Sequence, residues 1–425
     1  MAENKKKGGK TMKKIALMSL VASSILMAGG YKIPETSTNA VALGAANIAH
    51  NHENADAAYY NPAKMVFMKN TNNLEVDLTY IGLDEVKYKG TVSGTGPYDL
   101  HSEKENFLVP TLHYVSPALG DNDARIGVSI VAPGGLSKQW KTEPAKTSAE
   151  EFTLEVLEIN PTAAFKINNK LGFAVGFRIV KTHGIVKSSG VTNIPALGGL
   201  GTASRDMTGD STDFGYNLAV AYNPTSNLEL GLTYRSKVNL TVEGNAKLAT
   251  SYLGGSTYDG PADVAIPLPA SLNAAVAYTL QSKTTLELVY ERTYWSAYKN
   301  LDFNYNGSEG VALGAIFGTS IPKNWKDTNT FRVGLTQELT DVTLMAGYVY
   351  DNSPVPNETI GFELPDTDTQ AFSLGGRYKI NESVDVGLSA IYSIHKDRTV
   401  NNSSLNGEFT DGNVLIVSAG LGYKF

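Results

Sequence analysis

From Asn73 onward the chain alternates apolar and polar positions with a period of two, the signature of strands with two unlike faces. Leu74, Val76, Leu78 and Tyr80 alternate with Glu75, Asp77 and Thr79. Leu171, Phe173, Val175, Phe177 and Ile179 alternate with Gly172, Ala174, Gly176 and Arg178. Leu415, Val417, Ala419, Leu421, Tyr423 and Phe425 close the chain in the same way. One face is apolar with aromatics near its ends, and the other is small or polar. A soluble sandwich turns its apolar face inward, whereas a membrane barrel turns it outward. About fourteen such runs begin near residues 74, 108, 126, 159, 171, 214, 228, 269, 285, 329, 342, 370, 384 and 413. The connections between them alternate short and long. Short turns fall at 121–123, 168–170, 223–227, 281–283, 340–341 and 381–383. Long connections are expected at about 82–106, 133–151, 182–211, 237–267, 296–327, 352–369 and 395–412. Short turns on one side, long loops on the other and an even strand number predict an all-β fold, a transmembrane antiparallel β-barrel of about fourteen strands in an outer membrane. Closure leaves no unpaired sheet edge in lipid.

Two segments stand apart from this pattern. Lys13 and Lys14 precede an apolar run from Ile15 to Met27 and the small residues Ala28, Gly29 and Gly30. That order reads as a secretory signal peptide over 1–29, with Met12 as an alternative start. The run is short for a membrane span. Residues 30–72 lack the period of two and are rich in Ala and Asn, with Tyr59, Tyr60, Pro62, Met65, Val66 and Phe67 as anchors. This composition suits short helical turns in a confined space, and predicts an N-terminal hatch folded into the lumen of a barrel over 73–425.

Composition narrows the chemistry. The 425 residues carry 36 Lys+Arg and 42 Asp+Glu, a formal charge of −6, and no Cys. Without Cys there is no thiolate metal site, disulfide or thiol nucleophile. The acidic balance argues against nucleic acid as a partner. A mean hydropathy slightly below zero argues against a bundle of membrane helices. Among the six His, His50 and His52 are a candidate metal pair with no third ligand suggested, and His113 sits in an alternating strand. No Gly-x-Ser-x-Gly elbow appears. No cofactor, metal or catalytic residue is assigned.

The hatch carries more specific signals. Tyr31-Lys32-Ile33-Pro34-Glu35 is followed by Asp56-Ala57-Ala58-Tyr59-Tyr60 and then Asn61, Pro62 and Ala63. Further on come Gly135-Leu136-Ser137 with Trp140, Ile159-Asn160-Pro161, Leu268-Pro269-Ala270-Ser271, Trp295-Ser296-Ala297-Tyr298, Asn324-Trp325-Lys326-Asp327, Ser353-Pro354-Val355-Pro356 and Leu364-Pro365-Asp366. In order and spacing this set resembles the outer-membrane long-chain fatty-acid and aromatic-hydrocarbon transporters of the FadL/TodX type, over essentially all of 30–425. The position after the Asn-Pro-Ala signature is Lys64, where many relatives carry Gly. The resemblance implies a fourteen-stranded barrel with an N-terminal hatch and passive uptake of hydrophobic molecules without covalent chemistry. It also implies capture among external loops, passage to a pocket above the hatch and lateral exit through the wall.

Candidate residues follow for each stage. Pro lacks a donor and Gly permits bulges, so both mark places where a ladder breaks. Pro133, Gly134 and Gly135 end the third strand, which in the resembled family is kinked, and are the candidate lateral exit. Leu136, Trp140, Ile316 and Phe317 are candidates for the capture groove. Lys32, Lys64, Arg178 and Arg235 are candidate cations for an acid headgroup, none of them singled out. Expected partners are a hydrophobic small molecule, outer-membrane lipid and the barrel-assembly machinery, with the protein a monomer. Two other readings are a general porin for hydrophilic solutes and an outer-membrane barrel enzyme such as an esterase or lipase.

Overall fold

Fourteen antiparallel strands close on themselves in the computed structural model, which describes residues 29–425 except positions 52, 121, 122 and 308. All but Gly29 of the proposed export segment, and His52, lie outside the described residues. The barrel strands are β1 (Asn73–Leu83), β2 (Glu105–Val115), β3 (Arg125–Lys138), β4 (Glu151–Asn168), β5 (Leu171–Ile194), β6 (Gly199–Thr225) and β7 (Leu228–Arg235). They continue as β8 (Ser271–Thr279), β9 (Thr284–Thr293), β10 (Thr328–Glu338), β11 (Val342–Asp351), β12 (Thr369–Lys379), β13 (Val384–His395) and β14 (Val414–Lys424). Each pairs with its sequence neighbours, and β1 pairs with β14 from Asn73↔Lys424 to Leu83↔Val414. The Asn72 and Phe425 backbones exchange hydrogen bonds of 3.0 and 3.1 Å beyond this ladder.

The burial pattern inverts that of a soluble sandwich. Outward-facing Leu374 and Leu388 are 70% and 63% exposed, whereas inward-facing Glu75, Glu158 and Arg178 are at most 2% exposed. Such a surface is stable only against hydrocarbon. Aromatic pairs run along the outer wall, among them Tyr290–Phe331 at 5.5 Å, Tyr348–Phe372 at 5.2 Å and, nearer the short turns, Tyr423–Phe425 at 5.2 Å. Amphipathic rings of this kind settle at the membrane–water boundaries.

The external connections hold more strand than the alternation predicts. The expected loop 182–211 is instead the outer half of a hairpin, because β5 runs for 24 residues and β6 for 27. The expected loop 237–267 is a second hairpin, Val238–Thr250 with Ser256–Leu268, paired edge-on to β6. Above the lipid both faces of a strand meet water or protein, so the period-two signal fades there while the backbone pairing continues. A separate four-stranded sheet joins Val86–Val92, Thr95–His101, Arg398–Asn401 and Leu405–Asp411 over the β1–β14 seam.

Residues 31–67, His52 apart, lie inside the barrel. Helix α1 (Thr38–Leu43) starts at Ser37, whose hydroxyl accepts from the Ala40 N–H at 3.1 Å, and stops at Gly44 in the left-handed region. All its residues are buried, against β10 to β14. The small inward positions of the wall are seats for this helix. A Cβ on Gly347 would lie 2.4 Å from the Leu43 carbonyl carbon, and one on Gly375 2.6 Å from the Ala42 Cβ. The second helix, α2 (Ala57–Tyr60), leads into a 3-10 turn over Pro62–Phe67.

Wall carboxylates tie this segment down. Glu287 accepts from the backbone N–H groups of Ile48, Ala49 and His50 at 2.8, 2.6 and 3.1 Å. Asp77 accepts from the Thr38 N–H at 3.0 Å. Arg377 binds Glu75, Asp385 and the Asn39 side chain together. His113 bridges wall and hatch, with ring nitrogens 2.9 Å from the Ser129 hydroxyl and 3.1 Å from the Thr36 carbonyl.

Candidate functional site

A cleft of about 1050 Å3 opens among the external segments. Tyr98, Leu200, Ile321, Ile360, Phe362 and Leu405 supply its apolar lining. At its floor buried Lys323 and half-buried Glu363 form an ion pair. Burial would raise the Glu363 carboxyl, but the Lys323 ammonium beside it holds it below the usual carboxylate range. The same pair reappears in the lining of a smaller space beneath, with Tyr31, Leu136, Phe152, Leu154, Tyr298 and Trp325. This inner chamber is closed down to about 10 Å3, so a guest enters only as side chains move. Its lower end is an aromatic box. The Tyr31 ring lies 4.7 Å from Trp295 and 5.6 Å from Trp325, and Trp325 lies 4.9 Å from both Trp295 and Tyr298. The indole N–H groups of Trp295 and Trp325 are buried without a hydrogen-bond partner.

Beneath the box the wall changes. The β2–β3 ladder is confined to the pairs between Leu112–Val115 and Gly127–Ile130. Four pairs at ~3.3 Å per residue rise about 13 Å along tilted strands, so the ladder ends inside an apolar band ~25 Å tall. Higher up, β2 stays paired to β1, β3 stays paired to β4, and the β3–β4 register shifts between Val131 and Gly134. Pro110 and Pro133 stand at the break, each without a donor. At the top the strands meet again through the Glu103 N–H to the Gln139 carbonyl at 2.9 Å and through Ser137 to Glu105. Instead of β2, the kinked part of β3 pairs with the N-terminal segment. The Ile33 N–H donates to the Pro133 carbonyl at 3.0 Å, and the Gly135 N–H to the Tyr31 carbonyl at 2.8 Å. Lys32 to Pro34 thus lie between the aromatic box above and a third space of about 60 Å3 below. That space is lined by Ile33, Tyr59, Pro133 and Leu268 and by the cations Lys32, Arg178, Arg235 and Arg332.

The candidates named from the sequence fall into different places. Pro133, Gly134 and Gly135 sit at the broken ladder and receive the N-terminal segment. Leu136 lines the inner chamber rather than the outer cleft. Trp140 is fully buried below the cleft floor, its indole N–H donating to the Phe362 carbonyl at 2.8 Å. Ile316 and Phe317 lie on the short external helix Val311–Phe317, half-buried, with Phe317 against Arg205. Asn61, Pro62 and Ala63 form a tie at the bottom of the hatch. The Asn61 amide donates to the Ile48 carbonyl at 2.9 Å and its oxygen accepts from the Ala63 N–H at 3.2 Å, while Pro62 opens the 3-10 turn. Lys64 is paired with Glu229 and donates to Asn223 at 3.2 Å beside the short-turn side. Lys323 carried no signal of its own in the sequence, although Asn324-Trp325 adjoin it. Among the described residues, no three of His, Asp and Glu gather as a metal site.

Residues 19–425 match the family of outer membrane transport proteins described as OMPP1/FadL/TodX. The chain belongs to this family. The long-chain fatty acid transport protein of Salmonella typhi is 24% identical over 415 residues, covering 90% of this chain and 92% of that protein. Outer membrane protein P1 of Haemophilus influenzae is 23% identical, covering 90% of each. Among solved structures, a Pseudomonas aeruginosa FadL homologue superposes with a TM-score of 0.81 at 20% identity, covering 93% of this chain and all of that one. The Pseudomonas putida toluene transporter TodX gives 0.72 at 18% identity, over 92% and 98%. As a member of the OMPP1/FadL/TodX family, the protein is an outer-membrane β-barrel of a transport class.

Proposed function

We propose that the protein is a passive channel for hydrophobic molecules, long-chain fatty acids first and aromatic hydrocarbons second. The observation that carries this reading is the apolar lining. It runs from the external cleft through the aromatic box to a broken ladder, in a lumen that is otherwise polar and filled by the hatch. The relatives described as fatty acid and toluene transporters support the same substrate classes. An apolar molecule gains roughly 25 cal/mol per Å2 of surface buried, or about 0.8 kcal/mol per methylene. It is captured in the cleft and threads between Tyr298, Leu136 and Trp325. It leaves sideways at Pro133–Gly135 once Tyr31 to Pro34 release β3. An acid cargo exchanges its carboxylate for Glu363 at Lys323, while a hydrocarbon passes the pair without that exchange. No covalent step is needed, and none is assigned.

In this reading residues 1–29 direct export, 30–72 form the hatch and 73–425 the barrel. The protein works as a monomer in outer-membrane lipid, after insertion by the barrel-assembly machinery. The test is whole-cell uptake of labelled oleate and labelled toluene in a host lacking its own transporter. Uptake of either, above cells without the barrel, supports the channel. Uptake of neither by an assembled barrel overturns it. Large steady conductance steps in a planar bilayer would instead favour a porin.

A further inference from the structure

The 60 Å3 space below the N-terminal segment has its buried charge unevenly distributed. Its two ends differ. At one end Lys32 and Arg332 share Glu291, with Glu35 and Asp351 close by. At the other end two arginines share one carboxylate. Arg178 binds Glu158 through Nε and Nη2 at 3.0 and 2.8 Å, and its Nη1 donates to the Ser236 carbonyl at 2.5 Å. Arg235 binds the other Glu158 oxygen through Nη2 and stacks over the Tyr59 ring at 4.2 Å. Its Nη1 is buried and has no hydrogen-bond partner. Glu158 is fully buried, and both arginines line the cavity. A buried guanidinium with an empty donor is costly unless something completes it. Thr233, Ser271 and Asn273 add neutral polar groups to the same lining.

We propose that Arg178 and Arg235 form an inner headgroup station that takes the carboxylate of a fatty acid; this deepens the channel reading and rests on it. The size fits a headgroup. The cavity offers several times the ~10–15 Å3 that admitting one water requires, so a carboxylate fits. The chain has an apolar way out, because Pro133 of the broken ladder and Leu268 line the same space. The arginines therefore hold the acid end in the lumen while the tail turns through the wall into lipid. The last step of exit, for an acid, is release of the carboxylate from Arg235. A hydrocarbon has no such step.

Arg235→Gln tests this, since it leaves Arg178 and Glu158 as a balanced pair. In cells with equal amounts of heat-modifiable barrel, the ratio of oleate to toluene uptake is expected to fall about tenfold, and Arg235→Lys to recover most of it. An unchanged ratio in the assembled Gln variant overturns the station while the channel reading stands. If that variant does not assemble, the wild type decides. A palmitate carrying a diazirine beside its carboxyl is expected to cross-link to Tyr59, Thr233 or Asn273. Adducts confined to the surroundings of Tyr298 and Trp325 overturn the proposal. Wild-type uptake of toluene without oleate also overturns it and leaves the channel intact; uptake of neither removes the channel reading first.

Discussion

The lower and upper parts of the lumen are filled in opposite ways. Below, the hatch is held by charge. Glu287 caps three backbone N–H groups, Arg377 joins Glu75 and Asp385 to Asn39, and Lys64 pairs with Glu229. Above, the side chains of Tyr31, Trp295, Tyr298 and Trp325 pack on one another through ring contacts, and two indole N–H groups go unpaired. Buried ion pairs are directional, and breaking one strands its partner. An aromatic pair adds only ~0.5–1.5 kcal/mol beyond the area it buries, so a ring contact is exchanged at smaller cost than an ion pair. The lower contacts therefore favour one arrangement, and the upper ring contacts tolerate repacking. In the proposed channel, that division is what would let cargo pass while the N-terminal segment stays in place.

The contrast can be broken from the lower side first. Arg377→Met leaves buried Glu75 and half-buried Asp385 without their cation, at a cost of about 3–5 kcal/mol. A lower denaturant midpoint for loss of the heat-modifiable band checks it, with steady bilayer current as a second sign of a loosened hatch. Next comes the junction of the two parts. A side chain at Gly134 would start 2.9 Å from the Tyr31 carbonyl oxygen. Gly134→Trp is therefore expected to lower uptake of oleate and toluene at least tenfold with assembly intact; unchanged uptake would remove the lateral route. In the upper part, Trp325→Phe keeps a ring but thins the box. We expect about a threefold change in the toluene-to-oleate uptake ratio, equivalent to ~0.6 kcal/mol, and no change in the denaturant midpoint.

The smallest effect is a dependence on acidity. Lys323 holds Glu363 below the usual carboxylate range, so the folded loops bind a proton there less readily than the unfolded chain. The pairing contributes fully above the unfolded value of ~4.3 and is lost as pH falls through the lower folded value. Protease nicking of the external segment 352–369 should thus be slow at pH 7 and rise only below about pH 4. The Lys323→Met variant should be nicked more readily at pH 7, with the difference closing below about pH 4.

Much of this was legible in the sequence, and the reason is lipid. Where β1, β5 and β14 cross hydrocarbon, each residue faces one of two unlike solvents, so alternation marks the strand, and the short turns mark its ends. The Ala run 40–49 announced close packing, and Pro133-Gly134-Gly135 announced a break. The outer parts of β5 and β6 did not declare themselves, because water on both faces removes the contrast. The cleft was also hidden. Ile321, Ile360 and Leu405 come from three loops far apart in the chain, and only the closed fold brings them together. Trp140 shows the opposite limit. Its apolar bulk was visible, but whether an indole lines a groove or holds the floor beneath it depends on Phe362, 222 residues away.

The seam between β1 and β14 has a kinetic consequence. Asn72 and Phe425, bonded across it, are separated by 353 positions. A ring whose first and last members must meet has the longest loop to close, and closing it is the slowest kind of contact to find unaided. Until that meeting both strands are bare edges carrying unpaired amides, free to add to any other strand. The time spent open, rather than the stability of the finished ring, therefore sets the aggregation hazard. A catalyst that holds β1 while the rest of the chain arrives would shorten the interval without changing the end state.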